Sequence, residues 1–417
     1  MSDRFVRWLA MGIAFSWLAG AACAEEPLYP EAMVTVSSTH VSPSPYPVLV
    51  QFDTPFPREA AAEGDTFYLL GKHKELLICQ LEPLSEPPAG RTFTWQHVIT
   101  LVPQRNEPFL LIAMPGGPKV AVPAVSAQLA GNSVRMETTA IQAWISTRAF
   151  RVADELSLFG QLLVPEYTDS LFNRQQNVEL VLTDRLRHAD FILQPKVADG
   201  GFTLEKAGPV IATGAYKGEF GGNENVKAVP FEGRLSLMAH GLMSLSITLP
   251  AGAFDEERFS VKEFHVTVPL VLRESAVMSF GAMHEEARGR HFWEGTAHLT
   301  AEPDGAYKFT DRDDSGVTGN GGLCWADYAS DEAGLGIVWD TKKYSMAVSA
   351  EYSEDLVDIR VTPPDTTAGG PVSAEVFLLF HPGHAELEVL GSVADGLFLP
   401  PKAEMCEEYV KAVTAFK

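Results

Sequence analysis

Apolar and polar side chains alternate in short runs along most of this chain, and turn residues separate the runs. Tyr46–Phe52, Thr66–Leu70, Leu76–Leu81, Val134–Thr138, Leu235–Met238, Leu242–Leu249, Phe264–Leu272, Leu335–Trp339 and Glu375–Phe380 carry this period of two. Successive side chains of a strand point to opposite faces, so each run can bury one face and wet the other. Clusters of Gly, Pro, Asn and Asp at Ala198–Gly201, Glu219–Asn225, Pro303–Gly305 and Thr318–Gly322 supply the turns. Strands that follow one another without a helical pattern between them predict stacked sheets, an all-β fold of sandwich type. Two stretches depart from the rule. One helix is expected near Thr168–Gln175. Another is expected over Lys402–Phe416, where Met405, Tyr409, Val410 and Val413 form an apolar stripe at helical spacing.

A Pro-containing stretch that follows two glycines, Pro118–Val125, marks a boundary. The expected organisation is a leader over 1–24, a small β-sandwich over 25–122, a larger sandwich over 123–400 and a terminal helix over 401–417. The leader is read from Arg4 and Arg7, an apolar stretch from Trp8 to Ala19 too short to span a bilayer, and the small-x-small site Ala22-Cys23-Ala24. Cleavage after Ala24 would leave Glu25 as the first residue of an exported chain, periplasmic or extracellular. A lipoprotein anchored at Cys23 is the alternative, although Gly20 stands where that signal wants an aliphatic residue. No later run reads as an integral membrane segment.

Composition narrows the partners. The formal charge is −22, and losing Arg4, Arg7 and Asp3 with the leader makes it more negative. Such a chain repels nucleic acid and anionic lipid, and repels a polyanionic glycan except where local cations override the global field. After cleavage Cys79, Cys324 and Cys406 remain. The odd count argues against a disulfide framework and for buried free thiols, with one bridge still open.

The order of short motifs carries a family resemblance. Val48–Arg58 (VLVQFDTPFPR) runs a strand into a Pro-bracketed turn; a strand pair ending in Gln80 and the Trp95 run Thr92–Leu101 follow. Together they resemble the N-terminal sandwich of the exo-acting rhamnogalacturonan lyases, with Asp53 where that family usually has Gly. Further along, Glu205–Tyr216 (EKAGPVIATGAY), Arg234–Ile247, Gly321–Asp340 (GGLCWADYASDEAGLGIVWD) and Phe380–Gly383 (FHPG) resemble strands of its central domain. Ala212 sits near the position of that domain's usual Arg. The resemblance implies a galactose-mutarotase-like central sandwich. It also implies a chain equivalent to the accessory modules of such a lyase without the helical α/α toroid, and so a separate helical lyase domain as a partner.

Several constellations could carry chemistry. A uronate lyase needs a base and a cation that holds the substrate carboxylate; Arg234, His240, His265 and Lys262 are the candidates, with Arg234 and His240 at even spacing. The competing reading makes Arg234 a surface ion-pair partner and His240 a strand or turn cap. The cluster His284, Glu285, Glu286, His291 lacks the second His of a zinc helix, since Arg288 occupies it. His291 and Trp293 could instead line a sugar cleft. Trp325, Tyr328, Trp339 and Tyr344 surround one hairpin, so that Trp325, Trp339 and Tyr344 are either core residues or a sugar-stacking platform. His381 and His384 flank a Pro-Gly turn. Asp311, Asp313 and Ser315 have the spacing of the first half of a calcium loop, but Gly322 stands where the closing acid belongs. Calcium is therefore a candidate ion and no cofactor is required. The residues themselves leave three readings open: a carbohydrate-associated protein that recognises or helps degrade acidic polysaccharide, a lyase acting at uronates in the central cleft, and a non-catalytic envelope protein.

Overall fold

The computed structural model describes residues 31–37, 44–57, 66–84, 93–104, 106–114, 124–165, 178–222, 225–272, 276–283, 289–292, 296–310, 316–351, 356–364, 369–383 and 387–415. The leader and the helix expected near Thr168–Gln175 lie outside them. The chain forms two compact units, Met1–Ala124 with Gly396–Lys417, and Val125–Asp395. Antiparallel sheets dominate both, as the alternation predicts.

The first unit is one seven-stranded sheet, in the order Ser44–Pro57, Phe93–Gln104, Leu76–Pro83, Thr66–Leu70, Glu107–Met114, Met33–Ser37, Lys402–Met405. Its outermost strands, Ser44–Pro57 and Lys402–Met405, come close to each other, so the sheet curls around its apolar face. Met33–Ser37 shows why: Val34 and Val36 are buried while Met33, Thr35 and Ser37 face outward. Phe52, Phe56, Leu69, Val98 and Phe109 join them in a single core. The terminal segment differs from the single helix expected there. Lys402–Met405 is a strand paired with Met33–Ser37, and the helix, here α2, spans only Glu407–Ala415. Tyr409 and Val413 of α2 close the core, and the Tyr409 hydroxyl donates to the Pro55 carbonyl at 3.1 Å.

The second unit holds sheets of five, eight and nine strands. The eight- and nine-stranded sheets face each other across aromatic contacts: Phe264 with Phe220 at 6.5 Å and Phe309 with Phe280 at 5.2 Å between ring centroids. This is the interior of a sandwich. Phe150 packs on Tyr216 and Phe231 beside the five-stranded sheet, in a slot that exists because Gly233 has no side chain; a Cβ there would meet the Phe150 ring at 2.5 Å. The nine-stranded sheet runs Pro195–Ala207, Ile211–Phe220, Val229–Met238, Leu242–Leu249, Val372–Pro382, Ala333–Val338, Leu323–Ala329, Val277–Ala282, Gly289–Phe292. Across part of it lies a helix, α1, over Leu387–Phe398, in a stretch that the sequence assigned to sandwich. Its Leu390 occupies the slot left by Gly336.

Candidate functional site

The nine-stranded sheet has one face turned to the sandwich interior, with Leu235, Leu245, Val376 and Ile337, and one turned away. Strand pairing sets what the second face displays. Arg234 lies opposite Ser246, and Ser246 lies opposite Glu375, so the three form a row across three strands. Ser236 and Ser244 form the next row, and Thr213 bonds Ser236 through their hydroxyls at 2.9 Å. Strands lie about 4.8 Å apart, which puts Arg234 and Glu375 about 10 Å from one another along the sheet.

The two ends of the row differ in charge. Arg234 is half exposed and holds Glu205 through its guanidinium fork, Nε to Oε2 at 3.1 Å and Nη2 to Oε1 at 3.4 Å; that bond lifts its pKa further. At the other end burial raises the Glu375 carboxyl above its ordinary range, the nearby Asp340 charge adds to this, and Lys343 opposes it. Asp340 builds the turn that brings these groups in. Its side chain accepts from the Lys342 N–H, its carbonyl accepts from those of Lys343 and Tyr344, and its carboxylate pairs with the Lys343 ammonium at 3.5 Å. Tyr344 lies against Ser373 and Glu375, and its phenol is pushed up mainly by burial. The face thus offers a guanidinium, an ammonium, a short band of hydroxyls at Ser244 and Ser246, and a carboxyl that keeps its proton to higher pH than usual, while Ser236 and Thr213 are buried and satisfy each other.

Of the residues singled out from the sequence, Arg234 and Tyr344 border this band. His240 does not join it: it sits in the Ala239–Gly241 turn, where burial drives its pKa down to about 3, so it is a neutral imidazole. His265 lies on the eight-stranded sheet between Glu179, at 3.8 Å, and Glu263, at 2.8 Å. Burial opposes its charge, but the hydrogen bonds to both glutamates and the charge of Asp358 outweigh this and lift its pKa to about 9. Lys262 pairs with Asp190 at 2.6 Å on the same sheet. Trp325 and Trp339 are fully buried; the Trp325 indole covers Gly281 and donates to the Ala282 carbonyl at 3.0 Å. His291 is in a strand opposite Met278, its side chain outside the described residues. Trp293, His284, His384 and the Asp311, Asp313, Ser315 segment also lie outside them. Among the described residues no group of three or more His, Cys, Asp or Glu is placed to hold a metal. Among the described residues Cys79, Cys324 and Cys406 form no disulfide, and burial pushes the Cys79 thiol up to about 12.

Sequence reasoning missed Ser246 and Glu375. Their signal is a polar residue recurring every second position inside runs that are otherwise apolar, in Leu242–Leu249 and Val372–Pro382. Sequence reasoning singled out His381 as flanking a turn but missed its burial and its pairing with Asp327. Oδ1 and Nε2 are 2.8 Å apart, both side chains are buried, and the imidazole fills the space above Gly334. Burial opposes the imidazolium, but the charge and hydrogen bond of Asp327 raise the His381 pKa above its ordinary value. Both groups are walled off from solvent, so the pair holds strands together and cannot meet a polymer.

No family model and no curated protein matches the chain. Among solved structures it is similar to a protein in the glycosyl hydrolase family 38 from Enterococcus faecalis, with TM-score 0.52, 10% sequence identity, and coverage of 91% of this chain and 48% of that one. A copper-containing benzylamine oxidase from Hansenula polymorpha aligns with TM-score 0.30 and 8% identity over 85% of this chain and 79% of its own. The likeness to the glycosyl hydrolase family protein is one of fold, and the chain spans about half of that protein's length. No helix among the described residues is long and apolar enough to cross a membrane.

Proposed function

We propose that this chain is an exported carbohydrate-recognising protein, and that the outward face of its nine-stranded sheet binds acidic polysaccharide. The row Arg234–Ser246–Glu375 carries the reading. Glu205 holds the Nε–Nη2 edge of the Arg234 guanidinium, and the Nη1 side is left to meet a glycan carboxylate; the Ser244 and Ser246 hydroxyls serve sugar oxygens, and a row of about 10 Å is long enough for more than one sugar ring. The similarity in fold to a glycosyl hydrolase family protein supports a carbohydrate context. The ordered motifs that resemble exo-rhamnogalacturonan lyases make rhamnogalacturonan the first glycan to test, with a separate helical domain as the catalytic partner. Elimination at a uronate would need a base and the carboxylate-holding cation on one ring. Here Arg234 is already paired with Glu205, and Glu375 stands two strands away, which favours recognition over cleavage.

Affinity electrophoresis through gels containing rhamnogalacturonan or polygalacturonate tests the proposal. We expect retardation of the wild type. Arg234→Ala should weaken binding about 10- to 100-fold, the range for one hydrogen bond to a charged group, and Arg234→Lys should not restore it. Unretarded migration in every acidic glycan would end the recognition reading, and growth of absorbance from an unsaturated product would replace it with the lyase reading.

A further inference from the structure

The second unit carries a pocket of about 220 Å³ whose lining shares no residue with the polar row. The hairpin of Glu155–Leu158 and Gln161–Val164 forms one wall, and the turn Ser330–Glu332 forms another. Phe159 stands at the hairpin tip. The residue is 64% exposed, and its backbone φ is +49°, followed by Gly160 at +79°. Two positive φ values are what a tight hairpin turn requires, but Asn, Asp or Gly satisfies them at less cost than a bulky aromatic. Folding accounts for neither the exposure nor the residue type. Strain held at an exposed aromatic is an observation from which function is inferred.

The walls are pre-formed. The Val271 N–H donates to the Leu163 carbonyl at 2.8 Å and ties the hairpin to the chain that leaves the eight-stranded sheet. The Ser330 hydroxyl accepts from the Glu332 and Ala333 N–H groups, and the Glu332 carbonyl accepts from Gly383. Leu162 and Val271 are also exposed on the lining, at 47% and 38%. The polar contribution comes from Gln161 and Glu332, both exposed, whose side chains bond no other described residue. The pocket therefore pairs an apolar aromatic surface with one amide and one carboxylate, both available to a ligand.

We infer that this pocket binds a single neutral sugar ring. The volume is below the roughly 300–1,000 Å³ of sites for drug-sized ligands, so it suits one ring and not a polymer backbone. A pyranose has an apolar C–H face for Phe159 and hydroxyls for Gln161 and Glu332, as an amphipathic ligand needs. The Glu332 carboxylate opposes a uronate. The ligand class therefore differs from that of the Arg234 row, and the inference does not rest on the acidic-glycan reading.

Saturation-transfer NMR on the full chain tests it, with the methyl pyranosides of glucose, galactose and rhamnose as probes and galacturonic acid as the acidic comparator. We expect transfer from protein to the ring C–H protons of at least one neutral glycoside, and weaker transfer to galacturonic acid. Phe159→Asn should lower the affinity at least tenfold while the melting temperature stays the same or rises, because Asn accepts the left-handed backbone. Glu332→Gln should narrow the gap between neutral and acidic sugars, and Arg234→Ala should change nothing here. The inference is overturned if no neutral glycoside receives saturation or if Phe159→Asn leaves the transfer intact. It is equally overturned if Phe159→Asn lowers the melting temperature by several degrees, which would make Phe159 a structural residue.

Discussion

His265 shows how a candidate proton carrier becomes a structural cation. Two glutamates grip its ring, so in the folded chain it titrates near 9 instead of at the ordinary 6.5. Between those values folding takes up a proton. The stabilisation is complete below about 6.5 and disappears as pH rises through about 9. The melting temperature should therefore fall between pH 7 and 9.5, and His265→Gln should flatten that fall and cost on the order of 2 kcal/mol at pH 7, because Glu179 and its diagonal neighbour Glu263 lose the cation between them. A wild-type melting temperature constant over that range would contradict the assignment. Gly334 offers a second test at this scale. A Cβ there would stand 2.6 Å from the His381 ring and 2.4 Å from the Ala329 side chain, both buried. Urea denaturation of Gly334→Ala should show a loss of about 1–3 kcal/mol from overpacking. Asp327→Ala should cost more, about 3–5 kcal/mol, because it strips a buried imidazole of its charged partner.

Elements explain why parts of the fold were readable in the sequence and parts were not. Leu242–Leu249 is covered on one face only, so its alternation survives and its strand was legible. Leu323–Ala329 is buried at every position, and nothing in that run says whether Trp325 faces a ligand or the protein. Covering both faces of a sheet erases the period-two signal. Helix α1 was illegible for another reason. Gly391 and Gly396, with Val389 and Val393, give it poor intrinsic propensity, and it exists because Leu390, Val393 and Ala394 find burial. The Arg234–Glu375 row was legible at one end only: Arg234 stood out in its own strand, whereas Ser246 and Glu375 passed as ordinary polar positions, and their adjacency depends on pairing between strands far apart in sequence. Helix α2 was legible by its stripe, whereas the strand before it was too short to declare itself. Tyr409 joins that helix to the curled sheet, and Tyr409→Ala should cost about 3–5 kcal/mol through the cavity and the lost bond to Pro55.

On the scale of the whole molecule, each unit encloses its own apolar core. Scanning calorimetry should resolve two unfolding transitions, and Tyr409→Ala should shift one of them while leaving the other in place. A single transition that moves as a whole would show the two cores melting as one cooperative body. Glycan binding at the Arg234 row should protect only the transition that Tyr409→Ala leaves alone, since a ligand stabilises what it binds.

The strand Lys402–Met405 has a consequence for how this polypeptide matures. Its partner, Met33–Ser37, is separated from it in sequence by the whole second unit, so that unit must be synthesised before the two strands can pair. Until then the backbone of Met33–Ser37 presents a ragged, unpaired margin to whatever is nearby, an invitation to clump with sister chains. A cut between Asp395 and Lys402 would therefore leave a finished second unit beside a sticky first one.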